Sequence, residues 1–151
     1  MKSYLLFVFC ISFSLLSFSQ SEEDISAVEK TCMNYIEGFY KGDSLKLKAA
    51  LKPRLYKFGY WKNKDTNTYE YSNQMTYEQA LAYAKNVLEK KKFQADDVIR
   101  KVEVLDMGNH IAAAKVTAWW GIDYMLLSKE EGKWMIEQVI WEGPLEKSHK
   151  N

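Results

Sequence analysis

The chain has 151 residues, 21 basic and 20 acidic side chains, a formal net charge of +1 and an aromatic content of 15%. That length suits one domain with a real core and not two. Balanced charge leaves no basic face for nucleic acid, which speaks against a nucleic-acid partner.

Residues 1–20 differ in kind from the rest. Lys2 gives a positive start, Tyr4 to Leu16 is almost wholly apolar, and Ser17-Phe18-Ser19 offers small residues to a signal peptidase. This reads as a secretory signal peptide, too short in its apolar run for the roughly 20 residues of a spanning helix. The expectation is an exported protein, periplasmic or secreted, with no membrane attachment after cleavage near Ser19 or Gln20. Without the leader the acidic and basic side chains balance and Cys32 is the single cysteine, so the domain from 21 to 145 must rely on its hydrophobic core. Residues 146–151 read as a disordered tail.

Ser21 with Asp24 fits a capping box, and Ile25, Val28, Cys32, Tyr35, Ile36 and Phe39 recur at helical steps, predicting a first helix to about Lys41. Gly42 suits its end, and Asp43 can cap a short second helix that Pro53 stops. Arg54 to Trp61 and Thr68 to Met75 read as a strand pair around a polar turn. Thr76 and Gln79 form another capping box, followed by a helical apolar face from Tyr77 to Leu88, with Lys90-Lys91-Lys92 as charges favourable to its C-terminal dipole. Asp97 to Met107 alternates as a strand, and Gly108-Asn109 turns it into the segment Asn109 to Glu142.

That last segment holds four of the five tryptophans and reads as one long hairpin, two apolar runs joined at Ser128 to Lys133. Its first run, Val116 to Leu127, is apolar on both parities, which calls for helices on one face and a second copy on the other, hence a homodimer. Helices first and strands later is the α+β pattern: a cone-shaped, curved antiparallel sheet wrapped around three helices.

Asp123 sits among Trp119, Trp120, Ile122, Tyr124 and Met125, where an acid is paired, protonated or useful. It could donate a hydrogen bond to a ligand carbonyl, or pair with Arg54, Arg100, a lysine or tyrosine hydroxyls. Tyr35, Tyr40, Trp61, Trp119 and Trp141 could line a cavity for a flat aromatic or polycyclic ligand, or be core and interface. His110 and His149 have no partners at metal-ligand spacing, and hydrolase, Walker and dinucleotide motifs are absent, so no metal and no cofactor are expected. Cys32 falls on an apolar helical stripe, where a thiol acts as a small hydrophobe.

The run Tyr35-Ile36-Glu37-Gly38-Phe39-Tyr40-Lys41-Gly42-Asp43, then Leu51-Lys52-Pro53-Arg54-Leu55, and the C-terminal Ala112 to Val116, Trp120, Asp123-Tyr124, Gly132-Lys133-Trp134 and Val139-Ile140-Trp141-Glu142 resemble the nuclear transport factor 2-like superfamily. Within it they are most similar to the branch named putative lumazine-binding, over nearly all of the chain after the leader and least from Tyr60 to Met75. The resemblance implies the cone-shaped, cystatin-like fold; the scaffold hosts isomerases, dehydratases, polyketide cyclases and non-catalytic adaptors, so it does not imply one activity.

Ketosteroid isomerases of that scaffold use a carboxylate base plus a tyrosine and a protonated acid as oxyanion donors. The resemblance puts Tyr35, seven residues before Gly42, in the tyrosine's place and Asp123 in the acid's. The base position, sixteen residues after Asp43, is Gly59, and Leu55 to Asn63 contains no acid. Tyr56 and Tyr60 are too weakly acidic to replace it. Three expectations follow: a weakly catalytic or non-catalytic binding domain for a small hydrophobic or aromatic molecule; an isomerase or cyclase on a polyketide- or steroid-like carbonyl compound using Asp123 and Tyr35; or an interaction domain whose cone is filled and whose outer sheet, at Trp120 and Tyr124, holds a partner.

Overall fold

The structure, a computed structural model, describes the backbone of residues 2–146 and the side chains of residues 22–146. The leader expected over 1–20 lies outside the residues whose side chains are described, as does the tail from 147 on. The elements are α1 (Lys2–Lys41), α2 (Ser44–Ala50), β1 (Leu51–Lys62), β2 (Tyr69–Met75), α3 (Tyr77–Glu89), β3 (Lys101–Met107), β4 (Ile111–Ala118), β5 (Gly121–Glu130) and β6 (Lys133–Gly143).

Caps set the helices as the local chemistry requires. The Asp43 carboxylate accepts from the backbone N–H groups of Leu45 and Lys46, and Thr76 and Gln79 close a reciprocal capping box on α3. Asp24 does something else: it accepts from Lys129 Nζ at 2.6 Å and Trp134 Nε1 at 3.0 Å, tying α1 to the sheet. Helix α2 ends at Ala50, and Pro53 lies inside β1 on an exposed stretch rather than at the helix end.

Six strands form one curved, unclosed sheet in the order β2-β1-β6-β5-β4-β3. Seven helix-facing positions alternate along the strands: Ala112, Ala114, Val116 and Ala118 on β4 are buried, as are Asp123, Met125 and Leu127 on β5. They pack on Val28, Cys32, Tyr35, Ile36 and Phe39 of α1, Leu47 and Ala50 of α2 and Ala80 and Ala84 of α3. Small alanines on β4 let the helical layer approach closely.

Two features depart from the expected pattern. The β1–β6 pair is parallel, with Phe58 opposite Ile140 and Gly59 opposite Trp141, so the sheet is mixed. Its partners are about eighty residues apart, and their relative direction is fixed by the intervening helix and strands, not by a local turn. The segment Asn109 to Glu142 is three strands rather than a two-stranded hairpin: a turn at Trp119-Trp120 ends β4 and starts β5, with Ala118 opposite Gly121. Gly121 makes the corner possible, since at φ +150° a Cβ there would lie 1.8 Å from the Glu142 carbonyl oxygen. Asp123 is thus near the start of β5, beside the turn, not in mid-strand.

Candidate functional site

The mouth of the cone holds a cavity of about 200 Å³. Its walls are Tyr35 and Phe39 from α1, Lys57 and Trp61 from β1, Ser72, Asn73 and Met75 from β2, Tyr83 and Val87 from α3, Trp119 and Trp120 from the β4–β5 turn and Trp141 from β6. Lys92 and Gln94, from the segment after α3, complete the lining. Tyr35 and Lys57 are buried, whereas Asn73, Lys92 and Trp119 are exposed, so the cavity runs from a closed floor to a polar rim.

The aromatic walls brace one another edge to face. Trp120 meets Tyr35, Phe39, Tyr40 and Trp119 at centroid distances of 5.5 to 6.1 Å, and Phe39 meets Tyr83 at 5.6 Å. Tyr40 fixes the turn from behind: its hydroxyl accepts from the Trp119 backbone N–H at 2.8 Å and donates to the Ile99 carbonyl at 2.7 Å. Burial pushes its phenol pKa up. Gly59 is open ground for Trp141, because a Cβ there would come within 2.6 Å of the indole. The Trp141 ring then spreads toward Trp61, 6.2 Å away.

A buried polar chain lies at the floor. Lys57 Nζ donates to the Tyr35 hydroxyl at 2.8 Å, the Tyr35 hydroxyl donates to Asp123 Oδ2 at 2.7 Å, and Trp120 Nε1 donates to Asp123 Oδ1 at 2.9 Å. Lys57 and Asp123 are 4.0 Å apart, both within the cone. The ammonium also stands 5.5 Å from the Tyr35 ring centroid and 5.4 Å from that of Trp141. Burial lowers the Lys57 pKa from its ordinary value, opposed by the Asp123 charge. Burial, then the Asp123 charge and hydrogen bond, hold the Tyr35 phenol well above its ordinary range.

Of the expected site residues, Tyr35, Trp61, Trp119 and Trp141 line the cavity. Tyr40 stands behind it, and Asp123 lies beneath Tyr35, Lys57 and Trp120, outside the lining. Trp120, expected on the outer sheet, turns inward instead, because the turn it occupies folds over the cone. Tyr56 and Tyr60 are on the exposed outer face of β1, away from the cavity. Arg54 pairs with Glu130 and Glu137, and Arg100 with Glu37, leaving Lys57 as the base that faces Asp123. Sequence reasoning passed over Lys57, yet it shares the inward parity of Leu55 and Gly59, and a lysine at an inward strand position is itself a signal. Cys32 is buried and its thiol is pushed up to about 12 by burial, first, and by the charges of Glu29 and Asp123. Among the described residues no group of three His, Cys, Asp or Glu side chains is placed to hold a metal ion, and no helix is long and apolar enough to cross a membrane.

The family model described as "Putative lumazine-binding" matches residues 23–142. The chain belongs to that family. Among solved structures, an NTF2-like protein of unknown function from Silicibacter pomeroyi superposes with a TM-score of 0.63 at 16% identity, over 80% of this chain and 96% of its own. One from Shewanella baltica, also of unknown function, gives 0.60 at 20% identity over 79% and 92%. A domain with a cystatin-like fold from Nostoc punctiforme gives 0.54 at 12% identity over 85% and 82%. No curated protein matches the chain. Members of the putative lumazine-binding family and these NTF2-like structures thus share with this chain the curved sheet and the helices that fill it.

Proposed function

We propose that this protein is an exported, homodimeric binding domain that holds a small, flat, largely aromatic molecule in the mouth of its cone. The observation that carries the reading is the cavity itself: about 200 Å³, walled by four tryptophans, two tyrosines and a phenylalanine, with one buried cationic donor at the floor. Ligand pockets are apolar with a few placed polar groups, and this one follows that rule. Its volume is below the ~300–1,000 Å³ of most such pockets, which favours a compact ring system over a large one.

Lys57 gives the ligand an orientation. The Tyr35 proton is directed to Asp123, so the donor left for a carbonyl or anionic oxygen is the lysine, which lines the cavity and has N–H groups beyond the one given to Tyr35. This argues for binding over the isomerase or cyclase reading, in which Tyr35 and Asp123 would both point at the substrate oxygen. The family's name fits a heteroaromatic ligand of this kind.

Self-association rests on the outer face of the sheet. Tyr124 and Leu126 on β5 are 54% and 53% exposed, Ile140 on β6 is 41% exposed, and Tyr56 and Tyr71 extend the apolar band across β1 and β2. A second copy of the same surface would cover it. Export rests on the sequence of the leader.

The test is a thermal-shift screen against pterins, flavins, sterols and aromatic polyketides. A ligand at ~100 times its dissociation constant adds about 2.7 kcal/mol, a rise of several degrees. A shift that Trp120→Leu removes supports the cone as the site; a shift unchanged by Trp120→Leu and Lys57→Met places the ligand elsewhere and sinks the reading.

A further inference from the structure

Lys57 has more chemistry than a hydrogen-bond donor needs. Its amine lies in a largely apolar pocket, in contact with a tyrosine hydroxyl that touches a buried carboxylate, and it borders the space a ligand would occupy. A lysine desolvated beside an acid–base relay is the usual arrangement for amine attack on a carbonyl.

We propose that Lys57 captures aromatic aldehydes or ketones covalently, as an imine formed at Nζ inside the cone. This rests on the reading of the cone as a binding site and adds the ligand's reactive group. In the first step the ammonium passes a proton to the Tyr35 hydroxyl oxygen while Tyr35 passes its own to Asp123, along contacts of 2.8 and 2.7 Å. The freed Nζ lone pair forms a bond to the carbonyl carbon, and the carbonyl π pair moves to oxygen. One amine proton transfers to that oxygen, giving a neutral carbinolamine.

Next, the proton held by Asp123 returns through Tyr35 to the carbinolamine hydroxyl. The carbon–oxygen bond breaks, water leaves, and the nitrogen lone pair closes the C=N bond. The sum is ammonium plus carbonyl giving protonated imine plus water, with Asp123 a carboxylate at both ends, and no oxidant or co-reactant is consumed. The cationic imine keeps its counter-charge in Asp123, 4.0 Å from the Lys57 nitrogen on which it forms. Burial, which lowers the Lys57 pKa, eases the initial proton loss at neutral pH. The neighbouring faces of Trp141 and Tyr35 then accept the cation.

The experiment treats the full chain with one equivalent of 2-naphthaldehyde and cyanoborohydride at neutral pH, maps the modified peptides by mass, and in parallel follows tryptophan quenching by 2-naphthalenemethanol, which has the same ring but cannot form an imine. Reductive capture adds the aldehyde's mass less one oxygen. The expected result is that Lys57 carries this adduct about tenfold more than the mean exposed lysine, because a desolvated amine beside a proton relay is the stronger nucleophile. Excess alcohol suppresses the Lys57 adduct and spares the others, and Tyr35→Phe, which removes the hydroxyl of the relay, slows its formation.

If the alcohol quenches yet Lys57 is unmodified, or is modified no faster than exposed lysines, imine capture is overturned and the binding reading stands. If the alcohol does not quench and Lys57 is unmodified, both fail together. The site is mapped in the wild-type protein, so the outcome does not depend on any variant folding.

Discussion

Lys57 and Asp123 face each other across 4.0 Å inside the cone, with the Tyr35 hydroxyl bonded to both. A buried charge pair of this kind contributes little beyond an apolar equivalent, yet removing one member is costly because the other stays behind. Asp123→Asn is expected to destabilise the fold by about 3–5 kcal/mol at neutral pH. Lys57→Met/Asp123→Asn should cost about 1–3 kcal/mol less than the two single changes added together. Denaturant titrations of the four proteins measure the coupling. The cost of Asp123→Asn should also fall as pH rises toward the ordinary lysine value of about 10.4, because the stranded amine is then neutral in both folded and unfolded chains.

The structure gives the reason no side chain stands at Gly59. A Cβ would meet the Trp141 carbonyl oxygen at 2.1 Å and its indole at 2.5 Å. Gly59→Ala should cost about 1–3 kcal/mol by overpacking, and Gly59→Asp more, read as a lowered denaturation midpoint. A Gly59→Asp protein as stable as wild type would mean that Trp141 does not rest on this glycine.

The Asp24–Lys129 contact joins α1 to β5 and should be visible in acid. Hydrogen bonds from Lys129, then Trp134, lower the Asp24 pKa. A depressed carboxylate stabilises the fold above its unfolded value, about 3.9, and that stabilisation is lost as pH falls through the lower folded value. Lys129→Met should therefore be less stable than wild type at pH 7, with the two converging below about pH 3. Parallel stability curves at both ends would show that Lys129 acts through packing on the Trp134 ring, 5.8 Å away, and not through charge.

Trp120 serves the wall and the floor at once. Trp120→Phe keeps ring packing on Tyr35 and Tyr40 and removes the donor to Asp123 Oδ1, for an expected cost of about 1–3 kcal/mol. Trp120→Leu also removes stacking surface and should weaken a bound aromatic ligand by about tenfold, one aromatic contact of ~1.4 kcal/mol. Calorimetric titration of both variants separates the two roles.

On the outer face, Tyr124 and Ile140 form a directly opposed cross-strand pair in the middle of the sheet. Tyr124→Lys should convert a dimer to a monomer in sedimentation at micromolar concentration, with the cavity unaffected because residue 124 points away from it. A wild-type chain that sediments as a monomer would remove this interface.

The helices and most strands were legible because their signals are local. Asp43 before Ser44, the Thr76–Gln79 box and the period of Val28, Cys32, Tyr35 and Phe39 each specify an element within a few residues. The turn at Trp119-Trp120 escaped because nothing in the two tryptophans marks a corner; only Gly121 does, and its role depends on the Glu142 carbonyl pressed against it. The apolar run looked continuous because both sides of that corner are drawn into the cone, β4 by its alanines and the turn by its indoles.

By itself, the sequence determined an α+β domain with aromatic residues concentrated in its last third, and an acid set among them, since composition and period depend only on neighbours along the chain. Tertiary structure alone decided that β1 runs parallel to β6, that Asp123 lies beneath the cavity floor and that Lys57 meets it through Tyr35. Those three polar residues are on β5, β1 and α1, and only the closure of the sheet around the helices brings them within hydrogen-bond reach, where burial gives their charges consequences that water would have screened.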